Sequence, residues 1–269
     1  MTEYFSMMSE IVKLADQAGE AIMAVYRTEF ETKIKSDQSP VTEADIVAEK
    51  IILEGLSKLT PNLPVVAEEQ VADGKTPVLS SPYYWLVDPL DGTKEFVRRN
   101  DEFTVNIALI KTKSPILGVV CAPALKTSYW GAAGHGAFCR ENEIVVPIAV
   151  NVPKDDGISI ISSRHHGNNR ELQDFLATFN VVQTLEAGSS LKFCVVAKGD
   201  ADLYPRFGPT CEWDTAAGHA ILDAAGGQVT KVDGSAFLYR KTHFRNSNFI
   251  AWGGLTPPNR PGTRLSLPS

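Results

Sequence analysis

The chain has 269 residues, 43% of them hydrophobic and 22% charged, with a formal net charge of -6. That length suits one large domain or two small ones in contact around a substantial core. The acidic balance argues against a nucleic-acid polymer as partner, which would call for clustered positive charge, though not against a small anion, because a bound metal can invert the local field.

Four cysteines, Cys121, Cys139, Cys194 and Cys211, form no CxxC pair, so they read as small core residues rather than a zinc or redox motif. Met1 to Glu10 lacks the basic and apolar regions of a signal peptide, and no apolar run approaches the roughly 18 residues of a membrane span. The expectation is a reduced, cytoplasmic protein. Whether it is a monomer or a homodimer, and whether it touches a membrane surface, is left open by the sequence.

Ile11, Leu14, Ala15, Ala18, Ile22, Val25 and Tyr26 recur at helical spacing and predict an amphipathic first helix. Thr42 is placed to cap a second helix with Asp45 at its third position, and Ala44, Val47, Ala48, Ile51 and Leu59 are expected to face inward. Leu63 to Ala67 reads as a short buried strand delivering Glu68 and Glu69, and Tyr83 to Val87 as another ending at Asp88. Segments 103–110, 115–121 and 127–131 are short, apolar or alternating, and predict a mostly antiparallel sheet. From about Asn151 the pattern becomes strand (157–162), helix (170–179), strand (181–185), helix (190–197), helix (213–225) and strand (228–232). The division expected is 1–152, a metal-binding subdomain; 153–255, an α/β subdomain; and 256–269, a flexible tail rich in Pro and Gly.

The most informative stretch is Trp85-Leu86-Val87-Asp88-Pro89-Leu90-Asp91-Gly92-Thr93. An apolar strand here ends on two carboxylates. Pro89 keeps Asp88 extended and Gly92 permits a tight turn, so both carboxylates are free to face one point beyond the strand end. Oxygen donors of this kind suit a hard cation such as Mg²⁺, whereas His and Cys would suit others. Glu68 and Glu69 end a strand, and Asp45 and Asp214 are expected to open helices, where they would also favour the helix dipole with no further role.

Taken together, Ala67-Glu68-Glu69, Trp85 to Thr93, and Trp213-Asp214-Thr215-Ala216-Ala217-Gly218 resemble, in order and spacing, the marks of the inositol monophosphatase superfamily of metal-dependent, lithium-sensitive phosphatases. The likeness runs to about Ala251. Within the superfamily it is strongest to the branch acting on 3'(2'),5'-bisphosphate nucleotides. That finer likeness rests on Asp91-Gly92-Thr93-Lys94-Glu95-Phe96, Phe103 to Ile110, Gly188-Ser189-Ser190-Leu191-Lys192-Phe193-Cys194 and Leu203 to Pro209. Loop Val71–Ser81 and the residues after Gly253 match nothing in the family pattern.

The resemblance implies an α/β layered sandwich of two subdomains, the first with a mainly antiparallel sheet and the metal site in the cleft between them. It implies two or three Mg²⁺ ions held by Glu68, Asp88, the carbonyl of Leu90, Asp91 and Asp214. Asp45, Thr93 and Glu68 would be the catalytic residues, with Thr93 orienting the attacking water and Asp45 raising the basicity of its hydroxyl. Glu68, Leu90, Asp91, Gly92, Thr93, Asp214, Gly188, Ser189 and Lys192 would meet the substrate, Gly92 and Thr93 partly through N–H groups at a helix start. The implied reaction is hydrolysis of adenosine 3',5'-bisphosphate to AMP and phosphate, as in sulfate assimilation. Inositol or sugar phosphate hydrolysis, and a non-catalytic regulatory role on the same fold, are the competing readings.

Several residues keep two readings. Glu69 either supports the metal ligands or holds another water. Lys94 either neutralises a second phosphate or is a solvated helix-start lysine. Ser189, Ser190 and Lys192 either hold nucleotide atoms or include an ordinary serine cap. Arg164, His165 and His166 either contact base or phosphate or are solvent-exposed. His219, mid-helix, reads as structural, and Arg206 as a support for the site.

Overall fold

A computed structural model describes residues 6–34, 40–153, 156–164 and 170–257. His165, His166 and the tail beyond Pro257 lie outside the described residues.

The first helix, α1 (Met8–Tyr26), buries Ile11, Leu14, Ala15, Ala18, Ile22 and Tyr26 of the face its periodicity predicts, while Val25 is half-buried. A short hairpin, β1 (Thr32–Ile34) with β2 (Pro40–Thr42), leads into α2 (Glu43–Leu59). The inward face of α2 differs from the expected one. Ala44, Ala48, Ile52 and Leu56 are buried with Asp45 and Glu49, while Val47, Ile51 and Leu59 are half-buried. The helix is turned so that one edge of its buried stripe carries two carboxylates toward the site, at the cost of part of its apolar edge.

The first sheet runs β3 (Val65–Ala67), β4 (Tyr83–Asp91), β5 (Thr104–Lys111), β6 (Ser114–Ala122), β7 (Thr127–Ala132), β8 (Gly136–Glu141) and β9 (Ile144–Ile148) in spatial order. Only β3 and β4 pair in parallel; every other neighbour is antiparallel. Two small helices sit at strand ends, α3 (Glu68–Ala72) after β3 and α4 (Thr93–Val97) after β4.

The second sheet has the order β11-β10-β12-β14-β13, from β10 (Ile158–Ser162), β11 (Val181–Glu186), β12 (Leu203–Arg206), β13 (Gln228–Lys231) and β14 (Phe249–Trp252). Its helices are α5 (Arg170–Leu176), α6 (Leu191–Ala197) and α7 (Ala216–Ala224).

The buried side chains define the layers. One core joins α1 and α2 to the first sheet through Ile11, Ile22, Ile52, Trp85, Val87 and Ile107. A second holds α6 and α7 against both sheets through Leu86, Val120, Phe193, Ile221, Tyr204 and Phe249. A third packs α5 on the outer face of the second sheet through Phe175, Ile160, Leu203 and Trp252. The result is helix, sheet, helix, sheet, helix, a layered α/β sandwich whose middle helical layer is shared. Close contact between β6 and α7 requires Gly118, where a Cβ would lie 2.3 Å from the Ala217 carbonyl oxygen.

Candidate active site

The site forms where β4 ends against the shared helical layer. Asp88 pairs with Asn106 and Asp91 with Thr104 across the β4–β5 ladder, so β4 carries one extra residue between them. Pro89, which has no N–H to give the ladder, lies in that bulge. The Asp88 carboxylate Oδ1 accepts from the Leu90 N–H at 3.1 Å, a local turn that fixes its direction. Gly92 follows with φ +87, a left-handed turn; a Cβ there would lie 3.2 Å from the Glu102 carbonyl and 3.3 Å from Ser189 Cβ. The five-residue α4 then begins at Thr93.

Asp45 is buried and divides its two oxygens between two tasks. Oδ2 accepts from the Thr42 N–H at 2.8 Å and the Thr42 hydroxyl at 2.7 Å, the reciprocal half of a capping box on α2. Oδ1 lies 3.2 Å from Thr93 Oγ1, which is also 3.2 Å from the Leu90 carbonyl oxygen. A hydroxyl has one proton and two lone pairs. If Thr93 donates to the Asp45 carboxylate, the stronger acceptor, its lone pairs are turned toward the space in front of β4.

Glu68 opens α3 directly after β3. The turn is held from behind: the buried Glu49 on α2 accepts the Glu69 N–H at 2.8 Å. Sequence reasoning gives Glu49 no role; its signal is an acidic residue on the buried stripe of an amphipathic helix.

Asp214 lies before α7 rather than within it. The helix starts at Ala216, with Thr215 as its N-cap, because Asp214 Oδ2 is folded back onto the Cys211 N–H at 2.7 Å. Its carboxyl is pushed well above the usual carboxylate range, first by burial, then by the negative charges of Asp91 and Glu68. Three carboxylates thus share one field, which Arg206 opposes at Asp214 and Lys192 at Asp91. Among the described residues, no three His, Cys, Asp or Glu side chains converge into a ready-made metal cage. Asp88, Asp91 and Asp214 instead each spend one oxygen on a protein donor. The donor set still fits a hard divalent cation: it is all oxygen and of one sign, with Asp88 and Leu90 buried and Glu68, Asp91 and Asp214 half-buried.

A cavity of about 210 Å³ opens beside these carboxylates, lined by Asp91, Asp214, Lys94, Lys192, Tyr204 and Arg206, among others. Lys192 is buried with its ammonium 3.2 Å from the Ala187 carbonyl, 2.5 Å from the Ser189 carbonyl and 5.4 Å from the centre of the Tyr204 ring. Burial pulls its pKa down to about 8, against the opposing pull of Asp91. Arg206, at the end of β12, donates to the Pro209 carbonyl at 3.1 Å. Gly188 donates its N–H to Glu102 at 2.8 Å, and Arg164 grips both Glu102 oxygens, at 2.5 and 3.1 Å, tying the turns after β10 and β11 to the segment before β5.

Thr93 is thereby in contact with both Asp45 and the Leu90 carbonyl, and Asp91, Gly92, Ser189, Lys192 and Asp214 line one cavity. His219 is engaged elsewhere, with Tyr239 at 3.0 Å and Asp223 at 3.3 Å. Ser190, Thr104 and Asn106 form a polar cluster against Asp91 that sequence reasoning does not assign to it.

The profile of the inositol monophosphatase family matches residues 5–257. The chain is 48% identical over 246 residues to the 3'(2'),5'-bisphosphate nucleotidase CysQ of Salmonella typhimurium, covering 90% of this chain and 98% of that protein. Its structure is similar to that of CysQ from Bacteroides thetaiotaomicron, with a TM-score of 0.74 at 34% identity over 90% of this chain and 95% of that one. Inositol monophosphatase from Anabaena shares the fold with a TM-score of 0.73 at 25% identity, covering 93% of this chain and 92% of that one.

Proposed function

The chain belongs to the inositol monophosphatase family, and from that premise we propose that it is a Mg²⁺-dependent phosphomonoesterase that hydrolyses adenosine 3',5'-bisphosphate to AMP and phosphate. The observation that carries this reading is the mixed lining of one cavity. Asp91 and Asp214 supply the anionic oxygens that a metal needs, while Lys94, Lys192 and Arg206 line the same cavity. A substrate with a single phosphate at the metal does not call for this positive charge, part of which Lys192 already directs at the Ala187 and Ser189 carbonyls and Glu95 offsets in the same lining. A nucleotide with a second phosphate does, and Phe193 and Tyr204 add apolar surface. The likeness to the 3'(2'),5'-bisphosphate nucleotidase CysQ of Salmonella typhimurium points the same way.

Glu68, Asp88, Asp91, Asp214 and the Leu90 carbonyl would hold the metal. When bound, Mg²⁺ would neutralise phosphate charge and make water a better nucleophile at neutral pH. Thr93 orients the attacking water through a lone pair, and Asp45 holds the Thr93 proton so that this lone pair faces outward. Water adds to phosphorus as the bond from phosphorus to the ribose 3'-oxygen breaks; the water gives up one proton as it adds and the departing oxygen takes one up from solvent, leaving a 3'-hydroxyl and hydrogen phosphate. The basic side chains hold the second phosphate away from the reacting one. Positioning and charge neutralisation supply most of the rate. The N–H groups of α4 contribute little dipole, since that helix has only five residues. In a cell the reaction would dispose of the nucleotide by-product of sulfate assimilation, and Li⁺ is expected to inhibit it.

The test is phosphate release from adenosine 3',5'-bisphosphate and inositol 1-phosphate, each with Mg²⁺ and with chelator. Metal-dependent preference for the nucleotide supports the reading. Preference for the inositol ester would keep the metal chemistry and remove the substrate assignment. Release from neither would overturn the catalytic claim.

A further inference from the structure

Ser190 stands at the N-cap of α6, yet its hydroxyl caps nothing: it accepts no N–H from the helix. A serine there ordinarily satisfies one of the orphan donors of the first turn. This one is buried and turned away. Its Oγ lies 2.6 Å from Asp91 Oδ2, 2.8 Å from the Asp214 carbonyl oxygen and 2.8 Å from Asn106 Nδ2. One hydroxyl therefore meets β4, β5 and the segment before α7.

Proton accounting decides what it does. Thr104 Oγ1 lies 3.0 Å from Asn106 Oδ1 and can give that amide oxygen its proton, and in that arrangement the NH₂ faces Ser190. Asn106 then donates to Ser190, and the single Ser190 proton remains for Asp91 or the Asp214 carbonyl. The carboxylate is nearer and charged, so it takes the proton. Ser189 also reaches Asp91 Oδ2, at 2.8 Å, but less securely. Ser189 and Thr104 own two protons between them and face three contacts, to Asp91, to each other and to Asn106 Oδ1. The Ser190 bond is the one whose direction the surroundings dictate.

We propose that Ser190, oriented by Asn106, is a positioning residue that aims the Asp91 carboxylate, rather than a contact for the nucleotide. This rests on the phosphatase reading, because it is the metal-holding face of Asp91 that is being aimed. With Oδ2 pinned by Ser190 from the protein side, Asp91 cannot rotate freely about its terminal torsion, and Oδ1 is held in a fixed direction. The same hydroxyl sits against the Asp214 backbone, so it also sets the spacing between two of the carboxylate-bearing segments. Residues of this kind orient metal ligands without touching the metal, and their loss typically costs about ten- to hundredfold in affinity. Asn106 touches Ser190 directly, while Thr104 and Ser189 both stand between its amide oxygen and Asp91, so the short path makes Ser190 and Asn106 act as one unit.

The probe is Mn²⁺ alone, its binding to the full chain followed by the electron paramagnetic resonance of the free ion, with phosphate release measured in parallel. Ser190→Ala should weaken Mn²⁺ binding by about ten- to hundredfold while leaving the KM for nucleotide at saturating metal close to that of the unaltered protein. Ser190→Thr, which keeps the hydroxyl, should restore most of the affinity. Asn106→Leu should weaken binding in the same direction, and the double variant Ser190→Ala/Asn106→Leu should be no weaker than Ser190→Ala. Near-ultraviolet circular dichroism checks that each variant keeps its packing, and Asn106→Leu carries the test if Ser190→Ala does not fold. Mn²⁺ affinity unchanged in Ser190→Ala, or additive losses in the double variant, would overturn the inference while the unaltered protein still binds Mn²⁺ and turns over. A raised KM for nucleotide with unchanged Mn²⁺ affinity would make Ser190 a substrate contact instead. If the unaltered protein neither binds Mn²⁺ nor releases phosphate, the phosphatase reading itself falls and takes this inference with it.

Discussion

Asp45 does two things with two oxygens, and the two can be separated. Asp45→Asn keeps the shape of the side chain. Its amide oxygen can replace Oδ2 as acceptor for the Thr42 N–H, so α2 keeps most of its cap. The NH₂ then faces Thr93 where Oδ1 accepted before, at 3.2 Å. It donates to Thr93 Oγ1, sends the Thr93 proton toward the Leu90 carbonyl, and occupies the lone pair meant for water. The loss of an oriented proton acceptor is worth about 10²–10⁴ in turnover. Thr42→Ala is the complement. It removes the acceptor for the Ala44 N–H and the hydroxyl bond to Oδ2 but leaves Oδ1 on Thr93. A lost cap costs about 0.5–2 kcal/mol, or about 1–8 °C in melting temperature for a chain near this size. The assays are Mg²⁺-dependent phosphate release and thermal denaturation on both variants. The expected pattern is crossed: Asp45→Asn inactive but nearly as stable, Thr42→Ala less stable but active within about tenfold. Equal inactivity of the two, or an active Asp45→Asn, would refute the division of labour.

Other outcomes follow from the same geometry. Glu49→Ala leaves the Glu69 N–H without its acceptor at the turn carrying Glu68; thermal denaturation should show a loss of about 1–3 kcal/mol, with weaker Mg²⁺ activation of phosphate release. Gly118→Ala drives a Cβ into the Ala217 carbonyl, so it should destabilise by about 1–3 kcal/mol and lower turnover by shifting the start of α7, which follows Asp214. Lys192 gives a pH signature. Its folded pKa of about 8 lies below the ordinary lysine value, so between about pH 8 and 10.4 the unfolded chain holds the extra proton and stability rises with pH. The buried thiols of Cys121 and Cys139, whose pKa values are pushed up to about 12 and about 11, work in the opposite sense, since they stay protonated only in the fold. The test is therefore the difference in melting temperature between the unaltered protein and Lys192→Met, which should grow in favour of the unaltered protein from pH 8 to 10; a flat difference would refute it.

How much of this is legible in sequence depends on whether a residue declares itself locally. Asp88, Pro89, Asp91 and Gly92 do so, because a carboxylate, a residue without an N–H and a residue tolerant of φ +87 have little other reason to end an apolar strand together. The capping box of α2 is equally local. The inward face of α2 is not, since Ile51 and Ile52 are interchangeable to a pattern and only the neighbouring sheet decides between them. Strands β8 and β9 also escape notice: β9 is a sheet edge with Ile144, Val145 and Val146 exposed, so it carries no alternation to read.

Thr104 and Asn106 are the instructive case. In Phe103-Thr104-Val105-Asn106-Ile107 they look like the solvent face of an alternating strand, yet both are fully enclosed, because the shared helical layer covers that face. A strand buried on both sides has no cheap place for a polar residue. Two such residues at i and i+2 therefore imply a polar partner brought in from elsewhere in the chain. Here the partners are Ser189 and Ser190, 85 and 84 residues away along the chain, and through them Asp91. The site on this reading has two kinds of residue. Those that would hold metal and water declare themselves in short motifs, while those that aim them are visible only once a fold has closed their hydrogen-bond accounts.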